Sequence, residues 1–580
     1  MKDHYGLYAR RFDAGTATAY ALGLPGNLTY YVAISGYDSA GDESKVSTEV
    51  SFFVPPAPAG TYQEDSPAVV LTGVWSRLAD DQASGNGYAV SDTPGDTVQF
   101  TFSGDSVVLY RRVDTDGGQA EVSIDGNFYG MLGFYFIEQR WQVPAIFDHL
   151  EDGIHTVTMR VSDIAHLDST GRQVYVDAFS VPSSFTPTEA QQQALERVNR
   201  YRLITSIPPV QGVQAIHQGA QGHAEFVATN KDDPRMASLR FHQEHPDLLG
   251  YIGDQPFNRA QYFGYPGWVG EDGHFIGDPI GSVDGWMETV YHRNLIMCYS
   301  CTDLGYGMVN DSRGRFDALN MGSRTYTAPP SRLIYTYPAD GQTEVPHLWY
   351  GGEIPDPLPD KPKPVGYPVS LYIVQPASMT VQMRRPKRLP WLAPQAVHSA
   401  QWEVTTAELR NLDGQLISTY ILDQDSDPNS YLSSDNVFLI AHETLSLDTT
   451  YTAHIAGTDS QGVAFDHIWS FTTIPAASII SVWFNAHGCS AQVNWLTAGE
   501  TTTRIEYGLN LDYGILIPGE NSPQTFHYAM LSNLTPDTIY HYRIVSQDTR
   551  GNTRVTMDRV FATPATGTAC YQLYLPVLLR

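Results

Sequence analysis

Histidines and carboxylates able to do chemistry gather in one stretch of the chain: His242, Glu244 and His245, then Glu271 and His274, then Glu288 and His292. His242 and Glu244 are two residues apart, which on a strand places both side chains on one face. Glu288 and His292 are four apart, which does the same on a helix, where such a pair is also an ordinary surface stabiliser. Imidazoles and carboxylates that share a cleft lower the cost of holding a divalent cation and shift each other's proton affinities. A metal site, a ligand cleft, a hydrogen-bonded structural cluster and a hydrolytic centre all lie within this chemistry. The sequence contains no His-Glu-x-x-His, no Gly-x-Ser-x-Gly and no Gly-x-x-x-x-Gly-Lys, and no Ser or Cys nucleophile is spaced with the cluster.

The segment that must position these groups, 186–326, is where helical spacing occurs. Thr186-Pro187-Thr188-Glu189 reads as a capping box with Pro at the first helical position, and Ala190, Ala194, Val198 and Tyr201 recur on one face of the helix that follows. A second helix carries Ile216, Ala220, Ala224 and Val227. A third carries Val283, Met287, Val290 and Tyr291 after an Asp278-Pro279 start. Helices set between strand-like pieces imply a layered α+β or α/β/α domain.

With its motifs in order, the segment resembles the CAP domain of cysteine-rich secretory proteins, insect antigen 5 and plant pathogenesis-related proteins. The resemblance rests on Leu195 to Arg202, Ala220-Gln221-Gly222-His223-Ala224, Phe241-His242-Gln243-Glu244, Asn258-Arg259, Phe263-Gly264-Tyr265, Gly270-Glu271, Trp286-Met287, Tyr291-His292-Arg293 and Leu304-Gly305-Tyr306-Gly307. It implies a cleft with two His and two Glu, carried over here as His242, Glu244, Glu271 and His292, with His245 as the alternative at the first position. It also implies a divalent metal ion, Zn²⁺ or Ca²⁺, or a small apolar ligand. Members have been linked to sterol or lipid binding, metal binding, protease activity and adhesion, so no single reaction follows. This chain departs from the pattern at Asp272, where the commoner member has Asn, and in an insertion from Asp247 to Gln255. His223 and His274 are assigned to structure.

Repeats organise the rest. Tyr30, Tyr451 and Tyr540 each stand eight residues before Asp38, Asp459 and Asp548, and Gly41, Gly462 and Gly551 follow three residues later. Each copy reads as an alternating strand entering an Asp/Gly hairpin turn, and resembles the second half of a fibronectin type III or related immunoglobulin-like sandwich, with the Tyr at a corner between sheets. Residues 60–182 carry turn residues at short intervals. In the order of Gly73-Val74-Trp75-Ser76, Phe100 to Gly104, Val122 to Gly126, Trp141 and Gly153 to Val157, they resemble a galactose-binding-like carbohydrate-binding module, with Trp75 and Trp141 read as core aromatics.

Pro-rich linkers punctuate these units at Val54 to Pro58, Ala328-Pro329-Pro330 and Ile354 to Pro368. The expected fold class is therefore multidomain and mostly β, with fibronectin/immunoglobulin-like and jelly-roll-like sandwiches flanking one α/β/α sandwich domain. The expected units are a partial fibronectin-like 1–55, the galactose-binding-like 60–182, the CAP-like 186–326, an immunoglobulin-like 335–475, a fibronectin-like 476–565 and a tail 566–580.

With 35 Lys+Arg against 63 Asp+Glu the net charge is 35 − 63 = −28. A negative field without basic stripes argues against nucleic acid and anionic membrane surfaces as partners; surface glycans or a small apolar ligand are the partners that the resemblances imply. No apolar run is long enough for a transmembrane segment. Met1 leads into Lys2-Asp3-His4-Tyr5 instead of a signal segment, so an export signal is expected upstream and an extracellular or cell-surface location with it. Cys298-Tyr299-Ser300-Cys301 reads as a redox pair, half a zinc site or, in an exported protein, a local disulfide. Cys489 and Cys570 are candidates for a second bridge, although four cysteines allow three pairings. Three functional readings follow: a non-enzymatic binding protein, a metal-dependent extracellular hydrolase using the tetrad, and a purely structural adhesin.

Overall fold

The computed structural model describes residues 11–564 apart from 21, 45, 184, 237–240, 326, 377–382, 385–394, 397–402, 434–435, 488 and 520–521. It forms two compact units, Met1–Leu333 with Val374–Val397, and Ile334–Ile373 with His398–Arg580. Strands dominate the described residues, and every α-helix among them falls between Glu189 and Ile296. None is long and apolar enough to cross a membrane.

In the first unit, residues 60–182 form a sandwich because alternate residues point inward. Val98, Phe100 and Phe102 of Thr97–Gly104 meet Val107 and Leu109 of Val107–Val113 in one core, closed by Phe147 and Phe179. One sheet runs Asn127–Gly133, Gly118–Ile124, Gly153–Ala165, Thr97–Gly104, Val69–Thr72, a second Arg140–Phe147, Val107–Val113, Ala178–Val181, Gly60–Gln63, and a smaller third Val174–Val176, Gly87–Ser91, Ser76–Ala79. Trp75 and Trp141 pack partly buried against that core, and Trp141 lies edge-on to Tyr88 at 5.1 Å.

Residues 189–323 build a four-stranded sheet in the order Gln211–Gly212, Asp303–Asp311, Gly314–Ser323, Trp268–His274. Among the described residues five α-helices accompany it: α1 (Glu189–Ile204), α2 (Gln214–Thr229), α3 (Pro256–Tyr262), α4 (Pro279–Met287) and α5 (Tyr291–Ile296). The cap of α1 is Thr188, two residues later than Thr186. Its hydroxyl accepts from Gln191 N while the Gln191 side chain accepts from Thr188 N, so Pro187 lies outside the helix. The expected third helix is broken into α4 and α5. Thr289 Oγ1 bonds back to the Trp286 carbonyl at 2.8 Å, which competes with the helical ladder at the joint. Asp278 caps α4 with Pro279 at its first position, as the sequence implies.

Register decides which side chains meet which helix. Gly305, Asn320 and Glu271 are cross-strand neighbours and share one face. That face lies against α2, since a Cβ on Gly305 would come within 2.3 Å of the Ile216 carbonyl carbon and one on Gly307 within 2.2 Å of Gln221 N. Met308, Asp317 and His274 share the opposite face, where a Cβ on Gly285 of α4 would come 2.9 Å from His274 Cε1. Helix α1 joins α4 through Asp284, which accepts from Arg197 Nη2 at 2.9 Å and Tyr201 OH at 2.8 Å.

The sandwich and this α/β segment share apolar clusters. Val113, Phe136 and Val143 pack with Ala220, Ala224 and Val227, and Val108 and Ile146 pack with Val213, Ile216 and Tyr265. Arg111, 1% exposed, donates to the carbonyls of Val143 and Tyr262, and burial lowers its pKa to about 10.

In all three copies the tyrosine hydroxyl bonds to the backbone five residues earlier, as acceptor in two and as donor in the first. Thr535 N donates to Tyr540 OH at 2.9 Å, Ser446 N donates to Tyr451 OH at 2.8 Å, and Tyr30 OH donates to the Pro25 carbonyl at 3.0 Å. Asp38, Asp459 and Asp548 each accept backbone N–H bonds from residues two and four further on. The glycines of those turns have φ of +88°, +76° and +88°, the left-handed region that a side chain resists. Cys298 and Cys301 form a disulfide. Cys489 is not free, and Cys570 and the tail 566–580 lie outside the described residues.

Candidate functional site

Three of the four expected residues converge. The ring of His242 meets Glu271 Oε1 through Nδ1 at 3.0 Å, and Glu244 joins through His223 of α2, whose Nδ1 lies 3.1 Å from Glu244 Oε1. His223 Nε2 sits 3.4 Å from Glu271 Oε1 without a hydrogen bond. Arg259 of α3 completes the group: its Nη2 donates to Glu271 Oε2 at 2.7 Å, its Nη1 to the His242 carbonyl at 3.1 Å, and its Nε lies 3.8 Å from Glu244 Oε1. The side chains of Glu244, Glu271, His223 and Arg259 are all 0% exposed. Of the two histidines, His242 is the one that meets Glu271, whereas His245 lies near Asp233 and Asp247, whose carboxylates it influences as a nearby charge.

Burial alone would raise the Glu271 carboxyl, but the charge of Arg259, the His223 ring and the hydrogen bond from His242 together hold it well below the usual carboxylate range. Burial lowers the proton affinity of His242, Glu271 opposes this, and His223 and His292 reinforce it. A neutral imidazole whose Nδ1–H faces a carboxylate carries its lone pair on Nε2.

The arrangement can be tested against the divalent ion that the resemblance implies. Glu271 accepts from His242 and Arg259, and Glu244 accepts from His223 and, at 2.7 Å, from Ile252 N. All four carboxylate oxygens therefore face a protein donor. A metal held at about 2.0–2.3 Å would have to evict a fully buried guanidinium. The inner group does not fit a divalent ion, and among the described residues no three His, Cys, Asp or Glu side chains are placed to share one.

His292 approaches from α5. Its Nδ1 meets Thr289 Oγ1 at 3.2 Å, and it bears on both His242 and His274 as a nearby charge. His274 lies on the other face of the sheet from Glu271, half-buried, with a buried Nδ1 that has no partner among the described residues. Glu288, the residue that ends α4, is open to solvent, yet protein crowds its carboxyl enough that desolvation and Asp284 push it up to about 7 against the pull of Arg293.

Sequence reasoning missed the two residues that tie the group together. His223, assigned to structure, bonds Glu244 inside the group. Arg259 is marked only by its place in a motif, on a helix of about two turns, too short to show periodicity.

No family model and no curated protein matches the chain. Among solved structures it is similar to a two-domain esterase (CEX) active on acetylated mannans, at 17% identity over 22% of this chain and 37% of that one, with a TM-score of 0.18. The chain thus spans little more than a third of that esterase's length. It is also similar to the third fibronectin III domain of human KIAA0343 protein (20% identity, 16% of this chain, 84% of that one, TM-score 0.13). A third is the CBM36-1 domain of a multidomain xylanase from the hindgut metagenome of Trinervitermes trinervoides (13% identity, 22% and 98%, TM-score 0.17). Likenesses of this size carry nothing over to the present chain.

Proposed function

We propose that the chain is a non-enzymatic, extracellular binding protein. Its α/β segment is a CAP-type module that receives a small ligand beside His242, His292 and Glu288, and its sandwiches serve as glycan-binding or spacer modules. The observation that carries this reading is the saturation of Glu244 and Glu271. Carboxylates already bonded to Arg259, His223 and a backbone amide act as a rigid wall, not as a nucleophile or metal ligand. The Cys298–Cys301 disulfide supports an oxidising compartment.

The test is calorimetry on the full chain with Zn²⁺, Ca²⁺ and short-chain lipids as probes, together with a glycan array. Binding of a lipid or glycan without chelator-sensitive turnover of a peptide, ester and glycan panel supports the proposal. A tight Zn²⁺ site lost in both Glu271→Gln and Glu244→Gln would overturn it. The 3.0 Å contact of His242 with Glu271 favours a second reading, a hydrolase with His242 as general base. Turnover on that panel that disappears in His242→Ala would establish this reading in its place.

A further inference from the structure

Arg324 makes no hydrogen bond to any described residue, although its Nε and Nη2 are shut off from solvent. A guanidinium brings five N–H donors, and leaving them unmade in the interior is costly. What holds it is the stack of its guanidinium over Tyr129 of the sandwich at 4.7 Å and Tyr265 of the α/β segment at 5.8 Å. Its nearest anion is the buried Asp303, 3.5 Å from Nε. That carboxylate is already engaged: Oδ2 accepts from Tyr265 OH at 2.8 Å and Oδ1 from Gln211 Nε2 at 3.2 Å. The cation is thus neutralised in part and hydrogen-bonded not at all.

Arg324 and Asp303 line a cavity of about 440 Å³ whose other walls include Gln211, Thr302, Thr325 and Val210. The volume is that of a small-molecule site and far more than a bare inorganic anion fills. Thr302, Thr325 and the amide oxygen of Gln211 offer hydroxyl and carbonyl partners, Val210 an apolar edge, and Arg324, whose side chain is 26% exposed, a cation suited to a carboxylate.

From this we infer that the cavity binds a small hydroxylated carboxylate of the sugar-acid class, its carboxylate on Arg324 and its hydroxyls on Thr302, Thr325 and Gln211. The site is separate from the His242–Glu271 group and independent of the function proposed for it.

The experiment titrates the full chain with sodium glucuronate, and with glucose as the uncharged counterpart, by calorimetry and ligand-observed NMR. Arg324→Gln removes the cation, and Thr325→Trp, at an exposed position, blocks the mouth without touching the Tyr129–Arg324–Tyr265 stack. Glucuronate binding that both variants weaken by roughly 10- to 100-fold, the worth of a charge-assisted hydrogen bond, with glucose silent, is the expected result. No glucuronate binding at millimolar concentration, equal binding of glucose, or binding that Thr325→Trp leaves unchanged would overturn the assignment.

Discussion

Asp148, at the end of a sandwich strand, accepts a hydrogen bond at 2.6 Å from the backbone N–H of Gln214, the first residue of α2. The residue before the helix, Val213, has no side chain able to cap it. The cap that the local sequence lacks thus comes from a residue 66 positions earlier. A carboxylate at a helix N-terminus satisfies an orphan donor and complements the dipole. Asp148→Ala is expected to lower stability by about 1–2 kcal/mol, with Asp148→Asn recovering part of it. Urea unfolding followed by the α-helical circular dichroism signal checks this, since every described α-helix lies in the α/β segment. Equal losses in both variants would show that the oxygen does not act as a cap.

Legibility follows from which residues obey their type. The Tyr and Asp of the repeats were readable because each makes a local bond, five residues back for the tyrosine and two to four residues on for the aspartate. The helices with buried Ile216, Ala220 and Ala224 were readable from period alone. Arg111, Arg202, Arg259 and Arg293 were not, because all four are fully buried where arginine is ordinarily at the surface. Arg202, for example, donates to the carbonyls of Pro208, Ile296, Cys298 and Cys301. Partners so distant in sequence leave no pattern, which is why the site's charge balance and the shared core of sandwich and α/β segment emerged only in three dimensions.

The Arg259–Glu271 pair should behave as a buried ion pair. Arg259→Met leaves Glu271 charged and buried, and is expected to cost about 3–5 kcal/mol. The double variant Arg259→Met/Glu271→Leu should be less damaging than the single one, because no uncompensated charge remains. Denaturant unfolding of both single variants and the double gives the cycle. Additive costs would mean that the contact at 2.7 Å contributes no coupling.

Stability should fall on mild acidification because of His217. Its Nδ1 accepts from Tyr306 N at 2.9 Å, so the ring must be neutral at that atom, and burial lowers its pKa to about 4. The unfolded chain protonates this histidine near 6.5. Its contribution is therefore complete above about pH 6.5, and falls by on the order of 3 kcal/mol as the pH drops to about 4. Glu271, held low in the folded state, acts in a separate window: its contribution is present above the ordinary carboxylate value and lost in stronger acid. His217→Asn, which keeps an acceptor without a titrating ring, should flatten the slope between pH 6.5 and 4. An unchanged slope would assign the acid sensitivity to other groups.

The tyrosine corners make the final case, because the same bond occurs twice in the second unit and can be removed by one atom. Tyr540→Phe strands Thr535 N, and Tyr451→Phe strands Ser446 N. Both rings are nearly buried, at 6% and 2% exposure, so water does not freely replace the lost oxygen. Each change is expected to cost about 1–3 kcal/mol, the penalty for leaving a donor unmatched. The control is Tyr513→Phe, whose hydroxyl donates to Asp558 at 3.1 Å on the exposed surface and whose loss should change stability by no more than about 0.5 kcal/mol. Thermal and urea unfolding of the three variants decides the matter: similar small effects in all would show that the corner hydroxyls are decoration, whereas large effects confined to Tyr451 and Tyr540 would show that the repeated spacing encodes a bond that holds each sandwich closed.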